Sequence, residues 1–266
     1  MEYQKIGFLG CGNMGGALAR AAAKRTKRIL LSNRTAAKAE TLAAELGVQA
    51  ADNETVAREC DLIFLGVKPQ MMAGVLTELA PVLAARTERF VLVSMAAGMK
   101  IEAIRRMAGE NYPVLRIMPN TPASIGAGMI LTCGDGVTDE EKAAFFDVMQ
   151  GAGRFDELPE SLIDAGSAVS GCGPAFVYPF IEALADGAVA CGLPRDKAQR
   201  YAAQTLMGAA QLVLESGAHP GALKDAVCSP GGSTIQGVRA LEQNGFRGAV
   251  VEAVIAAYEK TVDLGK

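Results

Sequence analysis

The tightest constraint on this chain lies in its first 25 residues. An apolar run, "KIGFLG" at 5–10, passes straight into the glycine-punctuated "GCGNMG" at 10–15 and on into a helical pattern over 13–24. A strand, a glycine turn and a helix in that order make the first βα unit of a dinucleotide-binding sheet, and each glycine of G-x-G-x-x-G has its own task. Gly10 permits the tight turn, Gly12 lets a pyrophosphate approach bare backbone, and Gly15 lets the helix close on the strand. The amides of Cys11, Gly12, Asn13 and Met14 are then expected at the positive end of the helix dipole, where an anion is stabilised. The pattern alone is weak in a chain with 30 glycines; its place between strand and helix gives it meaning.

The same rhythm continues to about residue 158. Apolar runs at 28–33, 62–67, 90–95 and 113–118 read as strands, with 128–133 and 153–158 as further candidates. Helical patterns fill the gaps. Thr35 is a plausible N-cap and Gly47 a helix stop, and Thr138 followed by Glu141 spells a capping box. After Pro159 the strand-like runs cease. Stretches near 161–170, 174–191, 194–216, 221–227, 234–244 and 247–263 all read as helices, with glycine or proline in most of the gaps. The expected class is α/β. A Rossmann-type dinucleotide-binding domain (1–158) is followed by an all-α domain (159–266) that binds substrate and dimerises. The 174–191 helix is apolar nearly all round and should be buried, which points to a homodimer or a dimer-based assembly built through the helical half.

Composition narrows the function. A net charge of −3 with both signs interspersed argues against nucleic acid. Six scattered cysteines without a CxxC pair read as reduced thiols, and the single histidine, His219, rules out a histidine-built zinc site and reads as a loop residue. The apolar stretch 177–191 is interrupted by Pro179, Glu182 and Asp186, so no membrane span is expected there. No secretory leader is expected before the first strand, and a cytoplasmic location follows.

The second strand should end near Asn33, where NAD enzymes keep a carboxylate for the ribose. Here the sequence is Ser32-Asn33-Arg34-Thr35, with no acid to repel a 2′-phosphate and a guanidinium to pair with one. NADPH is therefore favoured, with NADH possible. Later strand ends carry Val67, Lys68 and Pro69, then the small residues Ala96, Ala97 and Gly98 suited to close approach of the nicotinamide half, then Asn120 in "RIMPNTPA". No strand end offers a histidine or an isolated carboxylate as an evident proton donor. The substrate anchor is expected instead in "SPGGST" at 229–234, where a stiff, glycine-exposed backbone opens a helix. The amides of Gly231, Gly232, Ser233 and Thr234 suit a carboxylate there, and Ser229, Ser233 and Thr234 add hydroxyls.

The stretch "LKDAVCSPGGSTIQGVRALEQNGFRGAVVEAV" (223–254) resembles the signature region of the pyrroline-5-carboxylate reductase family. "GFLGCGNMGGAL", "VKPQ", "RIMPNTPA", "SGCGPAFVYPFIEALADGAVACGLP" and "HPGALKDAV" resemble that family's blocks in the same order. The resemblance implies a Rossmann-type domain, a helical dimerisation domain, and reduction of the cyclic imine 1-pyrroline-5-carboxylate to L-proline. It puts Thr234 where a hydroxyl meets the ring nitrogen, with the substrate carboxylate on the 231–234 backbone and the C=N bond facing the reduced nicotinamide. Position 233 departs from relatives with Ala or Thr, and its extra hydroxyl bears on substrate hydrogen bonding. The β-hydroxyacid dehydrogenases join similar domains but carry a lysine where this chain has Val177, so the base that alcohol oxidation needs is missing. A non-catalytic NADP-binding regulator would have no use for the 229–234 loop.

Overall fold

The computed structural model describes Tyr3 and residues 5–264. The chain alternates β1 (Ile6–Leu9), α1 (Asn13–Ala23), β2 (Ile29–Ser32), α2 (Ala36–Leu46), β3 (Gln49–Ala50), α3 (Asn53–Glu59), β4 (Leu62–Leu65) and α4 (Pro69–Ala84). It continues through β5 (Val91–Ser94), α5 (Ile101–Ala108), β6 (Val114–Met118), β7 (Gly128–Asp135), α6 (Asp139–Met149), β8 (Gly153–Glu157) and α7 (Glu160–Ser170). The strands form one sheet in the order β3-β2-β1-β4-β5-β6-β7-β8. All neighbours are parallel except β6 and β7, which pair antiparallel.

Helices on both faces explain why β1, β2, β4, β5 and β6 are buried throughout and read as near-continuous apolar runs rather than alternating ones, with Arg116 of β6 the one charge inside them. Phe8, Phe64, Val93, Leu115 and Ile117 pack with residues of α1, α2 and α6. Leu9, Ile63, Leu65 and Leu92 pack on the other face with α3, α4, α5 and Ile163 of α7. Each such fully buried side chain stabilises the fold by about 1.5–3 kcal/mol before entropy is counted.

Several expected local signals operate. Thr138 Oγ1 accepts from the Glu141 amide at 3.2 Å while the Glu141 carboxylate accepts from the Thr138 amide at 2.8 Å, so the capping box is complete. Gly47 ends α2 with φ +65°. Thr35 occupies the N-cap position of α2, but its side chain makes no cap bond. The two-residue β3 had no sequence signal.

The chain divides into two compact units. One holds the residues up to Cys172 together with the stretch from Ala257 onward; the other is Gly173–Ala256. The first helix after Pro159, α7, therefore lies on the sheet, with Ile163 fully buried in its core. The remaining helices are α8 (Gly173–Ala190), α9 (Arg195–Ser216), α10 (Pro220–Ala226), α11 (Ser233–Gln243) and α12 (Phe246–Leu264).

The expectation of a buried α8 is not met within one chain. Helices α8 and α9 meet through the small residues Ala185, Ala198 and Ala202, ringed by Ile181, Ala188, Val189 and Leu193. Ala185 is the one buried residue of α8. Tyr178 (58% exposed), Leu184, Met207, Leu212, Leu214 (62%), Val250 and Val251 face outward. By length and composition alone, Glu160–Ala190 would pass for a membrane span. It is two helices with a turn at 171–172, and Asp164 of the first pairs with a buried arginine.

Candidate active site

In the first unit the carboxyl ends of the parallel strands lie side by side. Leu9 is in register with both Ser32 and Leu65, and Leu65 with Ser94. The chain runs from β1 outward to β2 and β3, then crosses back to β4 on the other side, so the gap beyond β1 and β4 is the switch point of the sheet. The glycine turn sits there. Gly10 has φ +104°, and a Cβ on it would fall 2.6 Å from the Gly66 carbonyl. A Cβ on Gly15 would stand 2.1 Å from the Gly10 carbonyl, whereas one on Gly12 would meet nothing within 4 Å. The first and third glycines thus close the fold and the second keeps space open.

The set of available amides differs from expectation at one position. The Cys11 amide donates to Asn33 Oδ1 at 3.1 Å, and the Asn33 Nδ2 donates to the Thr35 carbonyl at 3.1 Å. Asn33 therefore staples the first βα turn to the second, and its carboxamide is engaged within the protein. Gly16 is the first amide of α1 bonded to a backbone carbonyl, that of Gly12, at 2.7 Å. Gly12, Asn13, Met14 and Gly15 remain without acceptors among the described residues, and no acid occupies the first turn. The Cys11 thiol donates to the Ser32 carbonyl, and burial pushes it up to about 11, so it stays protonated at neutral pH.

Arg34 is exposed at the end of β2 and has no carboxylate partner among the described residues. Among the described residues it is the one cation lining a cleft that also holds Ser32, Asn33, Glu40, Asp52, Glu54 and Glu78. The expectation of no carboxylate nearby thus holds for 32–35 but not for the cleft, because α2, the start of α3 and α4 bring acids in from further along the sequence. Asp52 is engaged as the N-cap of α3, accepting from Thr55 at 2.7 Å, and Glu54 pairs with Arg58.

The other strand ends frame the same edge. Val67 is half-buried, Lys68 is the exposed N-cap of α4, and Pro69 is the first residue of that helix. Ala96 is buried, Ala97 exposed, and Gly98 turns with φ +70°. Asn120 is buried, and its carboxamide accepts from the Met129 amide at 3.0 Å and donates to the Ser170 carbonyl at 2.9 Å. That side chain braces the β6–β7 loop against β7 and α7, so what this position offers a nucleotide is backbone rather than carboxamide.

In the second unit, Gly231 has φ +72°, and Gly232 is the N-cap of α11 in extended conformation. The Gly232 amide donates to the Ser229 carbonyl at 3.0 Å and closes the turn, so it is not available to a ligand as expected. The amides of Gly231, Ser233, Thr234 and Ile235 remain without acceptors among the described residues, the last three in the first turn of α11 where no intrahelical carbonyl reaches. The hydroxyls of Ser229, Ser233 and Thr234 are exposed and unbonded among the described residues. Such a turn, carrying partial positive charge and no competing acid, can hold a small carboxylate. His219 Nδ1 accepts from the Gly221 amide at 3.0 Å and caps α10, a local structural role.

Sequence reasoning missed one charged cluster. Arg116, on a strand buried on both faces, is only 1% exposed and pairs with Asp164 and Glu160 of α7. A lone arginine inside an apolar strand demands carboxylates from another element, and that demand was the signal available.

Comparison with known proteins bears on both units. The family model described as pyrroline-5-carboxylate reductase dimerisation matches residues 160–264, and that described as NADP oxidoreductase, coenzyme F420-dependent, matches residues 5–98. A pyrroline-5-carboxylate reductase of Escherichia coli K12 is 42% identical over 269 residues, covering 99% of each chain. Among solved structures, the Plasmodium falciparum pyrroline carboxylate reductase with NADP bound superposes with a TM-score of 0.88 at 34% identity, covering all of both chains. The Coxiella burnetii pyrroline-5-carboxylate reductase gives a TM-score of 0.90 at 30% identity over 99% of each.

Proposed function

The chain belongs to the pyrroline-5-carboxylate reductase family, and from that premise we propose which of its residues carry the reduction of 1-pyrroline-5-carboxylate to L-proline, the last step of proline biosynthesis. NADPH, for which NADH can stand in, supplies the hydride when bound. The first unit fits such a cofactor. Gly12 leaves the open backbone a pyrophosphate needs, the amides of 12–15 at the same helix start have no acceptors among the described residues, and the Arg34 guanidinium, with no carboxylate partner among them, suits a 2′-phosphate. Val67, Lys68 and Pro69 at the end of β4, with Ala96, Ala97 and Gly98 after β5, would line the nicotinamide half.

The reaction asks little acid chemistry of the protein. A protonated imine is already electrophilic, so what raises the rate is holding it in place. The observation that carries the assignment is the exposed backbone of 229–235. The amides of Gly231, Ser233, Thr234 and Ile235 would bind the substrate carboxylate, and the Ser229 and Ser233 hydroxyls would add to them. The Thr234 hydroxyl would hold the ring nitrogen. An aliphatic hydroxyl is too weak an acid to act by itself, so Thr234 orients the nitrogen and relays to it the one solvent proton that forms the iminium, after which the hydride completes the amine with no further proton needed. The exposed apolar faces of α8, α9 and α12 are the surface on which a second copy of the chain would assemble, in keeping with the dimerisation model that spans them. A soluble cytoplasmic enzyme is the setting that fits this reading.

The test is NADPH oxidation with and without pyrroline-5-carboxylate in wild type and Thr234→Ala. The variant should lose about ten- to a thousandfold in kcat/KM, the range of one charge-assisted hydrogen bond and its geometry, with Thr234→Ser recovering most of it. Wild-type turnover in Thr234→Ala would remove that residue from the mechanism.

A further inference from the structure

Arg116 is the largest fully buried side chain among the described residues, and it is charged. Its Nη2 donates to Asp164 Oδ1 at 2.7 Å and its Nη1 to Glu160 Oε1 at 3.4 Å, while its Nε has no partner among the described residues. The same Glu160 oxygen accepts the amide of Ile101, the first residue of α5, at 2.8 Å. Lys100, which precedes α5, provides no side-chain cap, so the helix is capped by an acid 59 positions away in sequence. The turn feeding that helix, residues 95–100, is weakly tied by its own bonds. The Ala96 amide reaches Ser94 Oγ at 3.4 Å, and the Met99 amide reaches the Ala96 carbonyl at 3.4 Å. The shortest bond at this turn is the one Glu160 supplies.

We infer that Glu160 is a positioning residue for hydride transfer: its carboxylate fixes the start of α5 and thereby the shape of the 95–100 turn at the nicotinamide end of the crevice. This rests on the reading above that residues 96–98 line that end. Arg116 holds the Glu160 carboxylate in place from below, and Asp164 is the closer partner of the guanidinium. Glu160 can therefore be altered without stranding the buried charge. Its side chain is also 30% exposed, which leaves room for a replacement to be solvated.

The experiment follows single-turnover hydride transfer from saturating NADPH in Glu160→Ala, beside the affinity for 2′,5′-ADP, which reports the adenosine half alone. Hydride transfer should slow by about ten- to a hundredfold, the scale of a small misplacement of reacting atoms. Affinity for 2′,5′-ADP should stay unchanged, and Glu160→Gln, which keeps the accepting oxygen, should recover most of the rate. Wild-type hydride transfer in Glu160→Ala, or a rate loss matched by an equal loss of 2′,5′-ADP affinity, would overturn the inference. If Glu160→Ala does not fold, Glu160→Asp must show the same split to a smaller degree, and a wild-type rate there overturns the inference equally. Ala97→Leu separates the premise from the conclusion. Unaltered NADPH turnover in that variant removes the reading of the turn and the inference with it. Slowed turnover there, with wild-type transfer in the Glu160 variants, removes the inference alone.

Discussion

A methyl group at Gly12 and one at Gly15, three residues apart, should have opposite consequences. At Gly15 it would sit 2.1 Å from the Gly10 carbonyl, which is backbone and cannot step aside. Gly15→Ala is expected to destabilise the fold by about 1–3 kcal/mol, read as a lower urea midpoint. At Gly12 it meets nothing within 4 Å. Gly12→Ala should leave the unfolding free energy from urea titration within about 0.5 kcal/mol of wild type while raising the NADPH KM about tenfold or more. Arg34 makes a separate prediction. Arg34→Asp removes the one cation of its cleft and adds a fifth acid to Glu40, Asp52, Glu54 and Glu78. The kcat/KM for NADPH should fall about ten- to a hundredfold more than that for NADH. The turn at Gly10, the clearance at Gly12 and the exposed place of Arg34 after β2 were legible because they follow from sequence position within a βα unit. The bonds from Asn33 to the Cys11 amide and from Asn120 to the Met129 amide were not, because they join residues 22 and 9 positions apart through the path of loops that no periodicity encodes.

Elements were easier to foresee than their partners. Strands buried on both faces announce themselves as apolar runs, and the capping box of α6 was readable as Thr138 and Glu141. The third party at that cap was not: Arg89 Nε and Nη2 donate to both Glu141 oxygens, at 2.6 and 3.0 Å, from the loop before β5. Burial by itself would raise the Glu141 carboxyl, but the Arg89 guanidinium and the Thr138 amide outweigh it and hold the group below its ordinary value of 4.5. The folded chain thus binds this proton more weakly than the unfolded chain. The stabilisation is complete above the ordinary value and fades as pH falls through the depressed one. Urea midpoints of wild type and Glu141→Gln should differ most above the ordinary value of 4.5 and converge as the pH is lowered below it. Equal differences at both ends would rule out a titrating contribution from Glu141. The helix α7 shows the other limit of sequence reading. Its pattern was visible, but its seat on the sheet depends on Ile163 and on an ion pair with Arg116, both settled by tertiary packing.

Across the whole chain, the division into an α/β part and a helical part was plain from where the strand-like runs stop. The destination of α7 and of the end of α12 was not, because compact units are set by contact rather than by texture. The helical unit Gly173–Ala256 encloses little core of its own, centred on Ala185, Ala198 and Ala202. A charge on the outward stripe of α8 should therefore act on assembly before it acts on the single chain. Val177→Glu combined with Leu184→Glu is expected to shift sedimentation from oligomer to monomer and to lower thermal stability, and an unchanged sedimentation coefficient would show that this stripe lies outside the interface. The bare stripe also ties robustness to abundance. Since association favours the folded partner by mass action, the melting temperature becomes a property of the solution as much as of the polypeptide, rising with every copy added and sagging on dilution. A cell that makes few molecules of this enzyme would hold them closer to unfolding than one that makes many.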